Sequence, residues 1–334
     1  MYPRCCGLDV HKRQVQACLL VSTTDGRVQQ EQRSFGTLTE DLLGLLDWLL
    51  VASCTCVAME STGSFWKPIF NLLAGSVEVV VVNAAPSKQV PGRKTDVAAA
   101  AWIAGLLRHG LLRPSFIPAR PQRELRDRTR YRMSLVHERS AEVNRLQQVL
   151  EDANIKVAGI ATDSVGKSGR ALLERLAAGE TDALALAQCA RGKMRAKIPL
   201  LEEALAGTIN DHHRFLLTQQ LAHLDDLDRR IAALTERIGG YLAPVEEAVV
   251  LLDPIPGVGR QTAEALVAEI GTDMRQFPSA DHLASWAGMC PGNHESAGKR
   301  KGGKTRKGSP WLRATLVVAA QAAGRSTATA LGAR

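Results

Sequence analysis

The sequence predicts an α/β domain at the N-terminus, a helical middle and a mainly α C-terminal region. Three observations carry that expectation: short apolar runs of strand length that end in acids, long stretches with charges at helical spacing, and a Pro-Gly-Val-Gly turn between two apolar helical segments. The strand-like runs and the helix after them bring Asp9, Glu60 and Asp96 in that order along the chain.

Residues 5–20 (CCGLDVHKRQVQACLL) read as a strand, a short polar turn and a second strand, and Thr24-Asp25-Gly26-Arg27 as the next turn. Asp9 then belongs to a central strand. Val57-Ala58-Met59-Glu60 is a short apolar run ending in an acid, followed by Ser61-Thr62-Gly63 and an amphipathic helix over 65–73. Val79 to Val82 is a β-branched run that suits a strand buried on both faces. Residues 97–112 are helical by composition, with Asp96 of Lys94-Thr95-Asp96 just ahead. Carboxylates so placed can converge on a hard divalent ion such as Mg2+, which takes oxygen ligands. Two such ions can clamp the attacking and leaving oxygens of a phosphodiester exchange. Singly, each acid is more simply a solvated residue or a helix cap, a role that suits Asp96. Only the combination points to phosphoryl chemistry.

Residues 125–150 and 198–238 interleave charges with apolar residues, as helices do that pair in coiled coils, between copies or antiparallel within one chain. Residues 163–190 read as a small helical insert between them, and His212-His213 as exposed. Arg120, Arg123, Arg126, Arg128, Arg130 and Arg132 make the first long helix strongly basic at its start. We read that start as facing nucleic acid, with a solvated helical face as the competitor. Residues 251–271 (LLDPIPGVGRQTAEALVAEIG) read as a helix-hairpin-helix, in which Gly257 and Gly259 allow a tight turn that offers backbone N–H groups to a phosphate beside Arg260. An ordinary packing turn is the alternative. After a further helical element over 277–288, residues 290–307 (CPGNHESAGKRKGGKTRK) read as a mobile basic loop whose Lys299, Arg300, Lys301 and Lys304 would contact phosphates.

Several of these words together resemble the DEDD transposases of the insertion-sequence one-ten family, over nearly the whole chain. They are Gly7-Leu8-Asp9-Val10-His11-Lys12, Met59-Glu60-Ser61-Thr62-Gly63-Ser64-Phe65-Trp66, Val82-Asn83-Ala84, Arg93-Lys94-Thr95-Asp96 and the LLRHGLL stretch over 106–112. Further on they include Trp286-Ala287-Gly288, His294-Glu295-Ser296-Ala297-Gly298-Lys299 and Trp311-Leu312-Arg313. The resemblance implies a RuvC-like, RNase H-like catalytic domain over 1–120 and a coiled-coil region over 121–243. It implies a C-terminal transposase domain over 244–334 with the helix-hairpin-helix and a serine nucleophile. It makes Asp9, Glu60 and Asp96 three of four metal-binding acids, with Lys94 among the nucleic-acid contacts, and Ser296 the residue that forms a covalent link to DNA. It further implies donor and target DNA selected by a structured noncoding bridge RNA, and a dimer-to-tetramer assembly in which one subunit's serine joins another's acids. Such chains commonly continue beyond the position of Arg334 with further basic helix.

One departure matters. The family's fourth acid lies three residues after Asp96, one helical turn on, and that position is Ala99 in an alanine run over 98–101. It is either an engineered inactivating change or a natural degenerate copy; in both cases alanine, the best helix former, leaves the helix intact. Two rivals follow: a metal-dependent junction nuclease, which needs the acids but not Ser296, and an inactive nucleic-acid-binding protein.

Composition agrees with a polyanionic partner. The 334 residues, enough for two or three domains, carry a formal net charge of +8. Aromatic residues make up 4%, too few for broad base stacking. Seven cysteines without a framework of spacings suit reduced thiols, and neither Cys5-Cys6 nor Cys54-x-Cys56 has zinc spacing. With no leader and no apolar run long enough to span a bilayer, the expectation is a bacterial cytoplasmic, nucleoid-associated protein with no membrane partner.

Overall fold

A computed structural model describes residues 2–23, 26–61, 63–82, 96–161, 163–291, 294–296, 298–302, 305 and 308–326; for residues 96–97, 294–296 and 300–301 the description is of the backbone. The chain divides into two compact units, 1–117 and 118–334.

The first unit is built on five strands: β1 (Arg4–Val10), β2 (Gln14–Ser22), β3 (Val28–Gly36), β4 (Cys56–Glu60) and β5 (Glu78–Val82), in the order β3-β2-β1-β4-β5. β1, β2 and β3 pair antiparallel, whereas β4 and β5 run parallel to β1. Helices α1 (Thr39–Val51) and α2 (Trp66–Leu73) cover one face, where Leu8, Val10, Leu19, Val57 and Met59 meet Leu45, Leu49 and Ile69. Helix α3 (Asp96–Arg108) covers the other, where Cys5, Cys56 and Ala58 meet Ala100, Ile103, Ala104 and Leu107. Strand alternation explains the split, since odd residues of β1 and even residues of β4 point to α3. The valine-rich run over 79–82, expected as a strand buried on both faces, forms β5, an edge strand exposed at Glu78, half-buried at Val79 and Val80 and buried at Val81 and Val82, with Val79 and Val81 in one core and Val80 in the other. A β-branched run reports coverage by helices, not position within the sheet.

Burial keeps the cysteines in and beside the sheet in the thiol form: desolvation pushes Cys5 up to about 11, and Cys54, just ahead of β4, and Cys56 to about 12.

Gly7 sets the height of α3 above the sheet. A Cβ there would lie 2.3 Å from the Ala100 carbonyl oxygen and 2.4 Å from the Ala104 nitrogen, both backbone atoms. Gly7→Ala is therefore expected to push α3 outward and cost about 1–3 kcal/mol. Hydrogen-exchange mass spectrometry over residues 96–108, with chemical denaturation, checks this. Unaltered protection and midpoint would count against it.

The second unit is a long helical pair with a bundle at each end. α4 (Arg120–Asp152) and α9 (Asp211–Leu242) run antiparallel, tied by Arg128 to Tyr241 (2.9 Å), Arg139 to Asp228 (2.5 Å) and His213 to Asp152 (2.9 Å). Leu217, Leu221, Leu224 and Leu227 give α9 a buried stripe at three- and four-residue spacing. The heptad-like pattern is thus used within one chain. His213, read as exposed, is buried because its ring closes the start of α9 against the end of α4.

Between the long helices, an insert forms from α5 (Val157–Ile160), α6 (Lys167–Ala177), α7 (Ala183–Ala187), a 3-10 stretch (Gly192–Lys197) and α8 (Ile198–Leu205). At the opposite end, α10 (Glu246–Leu252), α11 (Arg260–Ile270), α12 (Ala280–Trp286) and α13 (Pro310–Arg325) pack with the start of α4. The expected separation at residue 243 has a continuous core instead, in which Leu125, Ile238 and Leu242 join Val258, Val267 and Leu312. Residues 290–307, expected as a mobile loop, include an antiparallel hairpin of β6 (His294–Ser296) and β7 (Lys299–Gly302), with a bridge between Pro291 and Thr305. Gly298, at φ +74°, lies between the strands. A glycine able to take positive φ turns this strip into a ladder that supplies its own backbone hydrogen bonds.

Candidate functional site

The first site residues lie at one end of the parallel strands. β1 and β4 pair as Gly7 with Ala58 and Leu8 with Met59; one further step sets Asp9 beside Glu60. Adjacent strands lie about 4.8 Å apart, so the two carboxylates share the α3 face as neighbours. Asp9 is 13% exposed and contacts the His11 ring at 3.4 Å, while Glu60 is 6% exposed at the end of a wholly buried strand.

Helix α3 brings the third position. Its far end lies over the start of β1, where the Tyr2 amide donates to the Arg108 carbonyl and the Cys5 Sγ approaches the Ala104 carbonyl. Ala100 and Ala104 sit over Gly7. One turn back from Ala100, about 5.4 Å, the helix begins at Asp96, and two residues on from Gly7, about 6.6 Å, is Asp9. The helix start is therefore level with the paired acids. Ala99 is 3% exposed, on the same helical face as Asp96 and Ala100. Oxygen donors on two strand ends and a helix start fit a hard divalent cation, and such a cation suits an acid pair held this close. Among the described residues no cluster of three or more such ligands forms.

The second unit carries the other predicted residues. Ser296 ends β6 and pairs in register with Lys299, which is exposed; Glu295 pairs with Arg300. Lys301 lies in β7, and Lys94 and Lys304 lie outside the described residues. The hairpin's base is pinned, since a Cβ at Gly308 would meet the Gly288 nitrogen at 2.2 Å and the Ser309 amide donates to the Trp286 carbonyl.

The basic start of α4 divides. Arg120 is exposed beside Glu124, and Arg123 is half-buried. Arg126 turns inward: its guanidinium donates to the carbonyls of Ala268 and Glu269 and lies over the Trp286 ring, and desolvation lowers its pKa to about 10. Arg128 stacks on Tyr241 at 4.0 Å. Arg130 grips Glu269 with two bonds of 2.6 and 2.9 Å and lies over Trp311. Arg132 reaches Glu264 at 2.7 Å as an ion contact outside hydrogen-bond alignment, both side chains being under 5% exposed. The reading of this stretch as a nucleic-acid face is corrected for these four. An arginine at helical spacing serves a buried acid as readily as a phosphate, and helix α11 supplies two of them.

The hairpin of α10 and α11 is likewise part-used for packing. Gly257, at φ +84°, faces α13, where a Cβ would meet the Ala319 oxygen at 2.1 Å. Arg260 donates to both oxygens of Glu246, at 2.6 and 3.0 Å, and to Glu264. Gly259 alone opens the start of α11 to solvent, with nothing near its Cβ position. Glu264 and Glu269 went unnoticed in the sequence. Their signal is an acid within an otherwise apolar run, QTAEALVAEI, whose residues 263–269 are all buried; such a charge must be paired.

Comparisons with known proteins match both ends of the chain. Residues 6–155 match the DEDD transposase family of the IS110 type, and residues 250–332 match the family described as Transposase IS116/IS110/IS902. A protein of Pseudomonas aeruginosa described as a probable family 20 transposase is 26% identical over 281 residues, covering 83% of this chain and 74% of that protein. The pilin gene-inverting protein of Moraxella bovis is 50% identical over 46 residues, 14% of each chain.

Proposed function

The chain belongs to the IS110 family of DEDD transposases, and from that premise we propose that it is an RNA-guided DNA recombinase working through a serine–DNA intermediate. The observation that carries the reading is the pairing of Asp9 and Glu60 on neighbouring strand ends beneath the start of α3. Asp9, Glu60 and Asp96 would hold magnesium. Bound there, it supplies charge stabilisation for phosphodiester exchange.

Ser296 supplies the nucleophile in this reading. Its hydroxyl oxygen bonds to a DNA phosphorus as one sugar oxygen leaves; the serine's proton passes to a base and the departing oxygen ends as a sugar hydroxyl. Attack by the sugar hydroxyl of the incoming strand reverses these steps and frees the serine. Lys299, opposite Ser296 across the hairpin, is suited to offset phosphate charge. Donor and target DNA, a bridge-type RNA and a homo-oligomer in which one copy's serine serves another's acids complete the proposal. The pilin gene-inverting relative, whose name describes a DNA rearrangement, supports the recombination class.

A second reading rests on Ala99, an apolar residue where the family has its fourth acid: the chain binds nucleic acid without exchanging strands. A covalent-adduct assay separates the two. With magnesium, cognate RNA and labelled donor and target DNA, the unaltered chain is expected to give a faint adduct on a denaturing gel, Ala99→Asp protein a strong one, and Ser296→Ala to abolish both. Cut DNA without adduct would point to a nuclease, and silence in both forms to the binding protein. Among the described residues no helix is long and apolar enough to cross a membrane.

A further inference from the structure

Most arginines of the second unit are matched to carboxylates. Arg139 faces Asp228, Arg145 faces Glu142, Arg170 faces Glu174 and Asp225, and Arg229 and Arg230 share Asp226. One stretch of the insert breaks this habit. From residue 183 to residue 201 the sequence holds no acid, yet it carries Arg191, Lys193, Arg195 and Lys197. All four are exposed, on the 3-10 stretch and the residue before it, while Met194 between them tucks toward the insert's core. Among the described residues none of the four has a carboxylate partner; Lys197 donates only to the Ile160 carbonyl, at 2.8 Å.

The strip also borders a groove. Lys167 and Ser168, at the start of α6, face Arg191, Lys193 and Lys197 across it, and the Arg191 amide donates to Ser168 Oγ. One carboxylate, Asp163, lies on the rim, and it accepts from the Val165 amide of its own turn. Glu174, which shares a second pocket with Arg191 and Arg195, is already held by Arg170; exposed cations that outnumber their acids repel one another, and a phosphate backbone offsets that charge while shedding its own counterions.

We infer that the insert's basic strip, Arg191, Lys193, Arg195 and Lys197 with Lys167 across the groove, is a sequence-independent contact for the phosphate backbone of duplex DNA. The position gives it a purpose. It stands at the far end of the 33-residue α4 from the bundle that carries the Ser296 hairpin, about 50 Å of helix. A duplex needs roughly 15 base pairs to run that far. The strip would hold DNA flanking the exchange point, positioning it through phosphate contacts. The inference rests on the DNA-acting reading above.

The test is fluorescence anisotropy of the full chain with a 30-base-pair labelled DNA duplex across a salt series. The strip variant replaces Arg191, Lys193, Arg195 and Lys197 by glutamine. A control variant replaces the paired Arg145, Arg229, Arg230 and Arg275 by glutamine, an equal loss of charge. The strip variant is expected to lower the slope of log K against log salt by about 2–4 and weaken binding roughly tenfold or more, and the control to change the slope by less than about 1. Equal effects in the two variants, or a loss confined to duplex RNA of the same sequence, would overturn the inference. If the unaltered chain binds neither duplex, the DNA-acting reading itself fails.

Discussion

Ala99→Asp is expected to raise covalent DNA attachment by about 10²–10³-fold, the scale on which a single missing charge-stabilising group is felt at a reacting centre. The position is 3% exposed and one helical turn from Asp96, above the neighbouring acids Asp9 and Glu60. A carboxylate added there meets like charge with little water. In the absence of divalent ions the variant is therefore expected to be less stable than the parent chain by about 1–3 kcal/mol. Millimolar magnesium is expected to restore that loss, because an ion that binds only the folded state stabilises it by mass action. Titration calorimetry and thermal melts with and without magnesium check both halves. Equal magnesium affinity before and after the substitution would sink the idea that Ala99 leaves the acid set incomplete.

Glu269→Ala is expected to be the more damaging change to the fold, costing about 3–5 kcal/mol in urea denaturation. Glu269 is 3% exposed and receives Arg130 through both carboxylate oxygens, Arg126 at 4.0 Å and the Ser309 hydroxyl at 3.3 Å. Its removal leaves two guanidinium groups against Trp286 and Trp311 with no anion between them. Desolvation lowers the Arg126 pKa to about 10 even with Glu269 beside it, and the substitution removes the one nearby carboxylate that most offsets that burial. Replacing Arg130 by methionine in the same protein is expected to cost less than the two single changes added together, since the second substitution removes one stranded charge. Strict additivity would mean that the pair does not act as a unit. Ser309 opens α13 immediately after the Ser296 hairpin, so the same network fixes the hairpin's base.

In the first unit β1, β2, β4, β5, α2 and α3 were legible because their side chains obey simple periods, whereas β3, exposed over most of its length, and α1 were not read from the sequence. Cys5, Gly7 and Asp9 alternate with Cys6, Leu8 and Val10, and that alternation sends the acid to the α3 face. The order of the strands was not legible: Val79 to Val82 looks equally apolar in the middle of a sheet or at a helix-covered edge. The acids Asp9, Glu60 and Asp96 could be named from their surrounding words, and their common level only from Gly7, whose missing Cβ sets α3 in place. In the second unit the local rules misled. A row of arginines at helical spacing has the same appearance whether it faces phosphate or Glu264 and Glu269, because the partner lies more than 130 residues away. The hairpin around Gly298 was hidden by composition, since lysine and glycine argue against a packed core but not against a two-stranded ladder.

The close seat of α3 on β1 also imposes an order on the making of the protein. β1 and β2 are joined by a turn in which the His11 amide donates to the Gln14 carbonyl, so they can pair as soon as both have been synthesised. The contact between Cys5 and Ala104 spans 99 residues, and closing so long a loop is slow relative to forming a hairpin. A growing chain thus holds Asp9 on a formed ribbon well before the helix that carries Asp96 exists. The α3 face of the sheet is covered last, and a polypeptide halted before residue 96 would have all five strands but neither the helix that covers them nor Asp96.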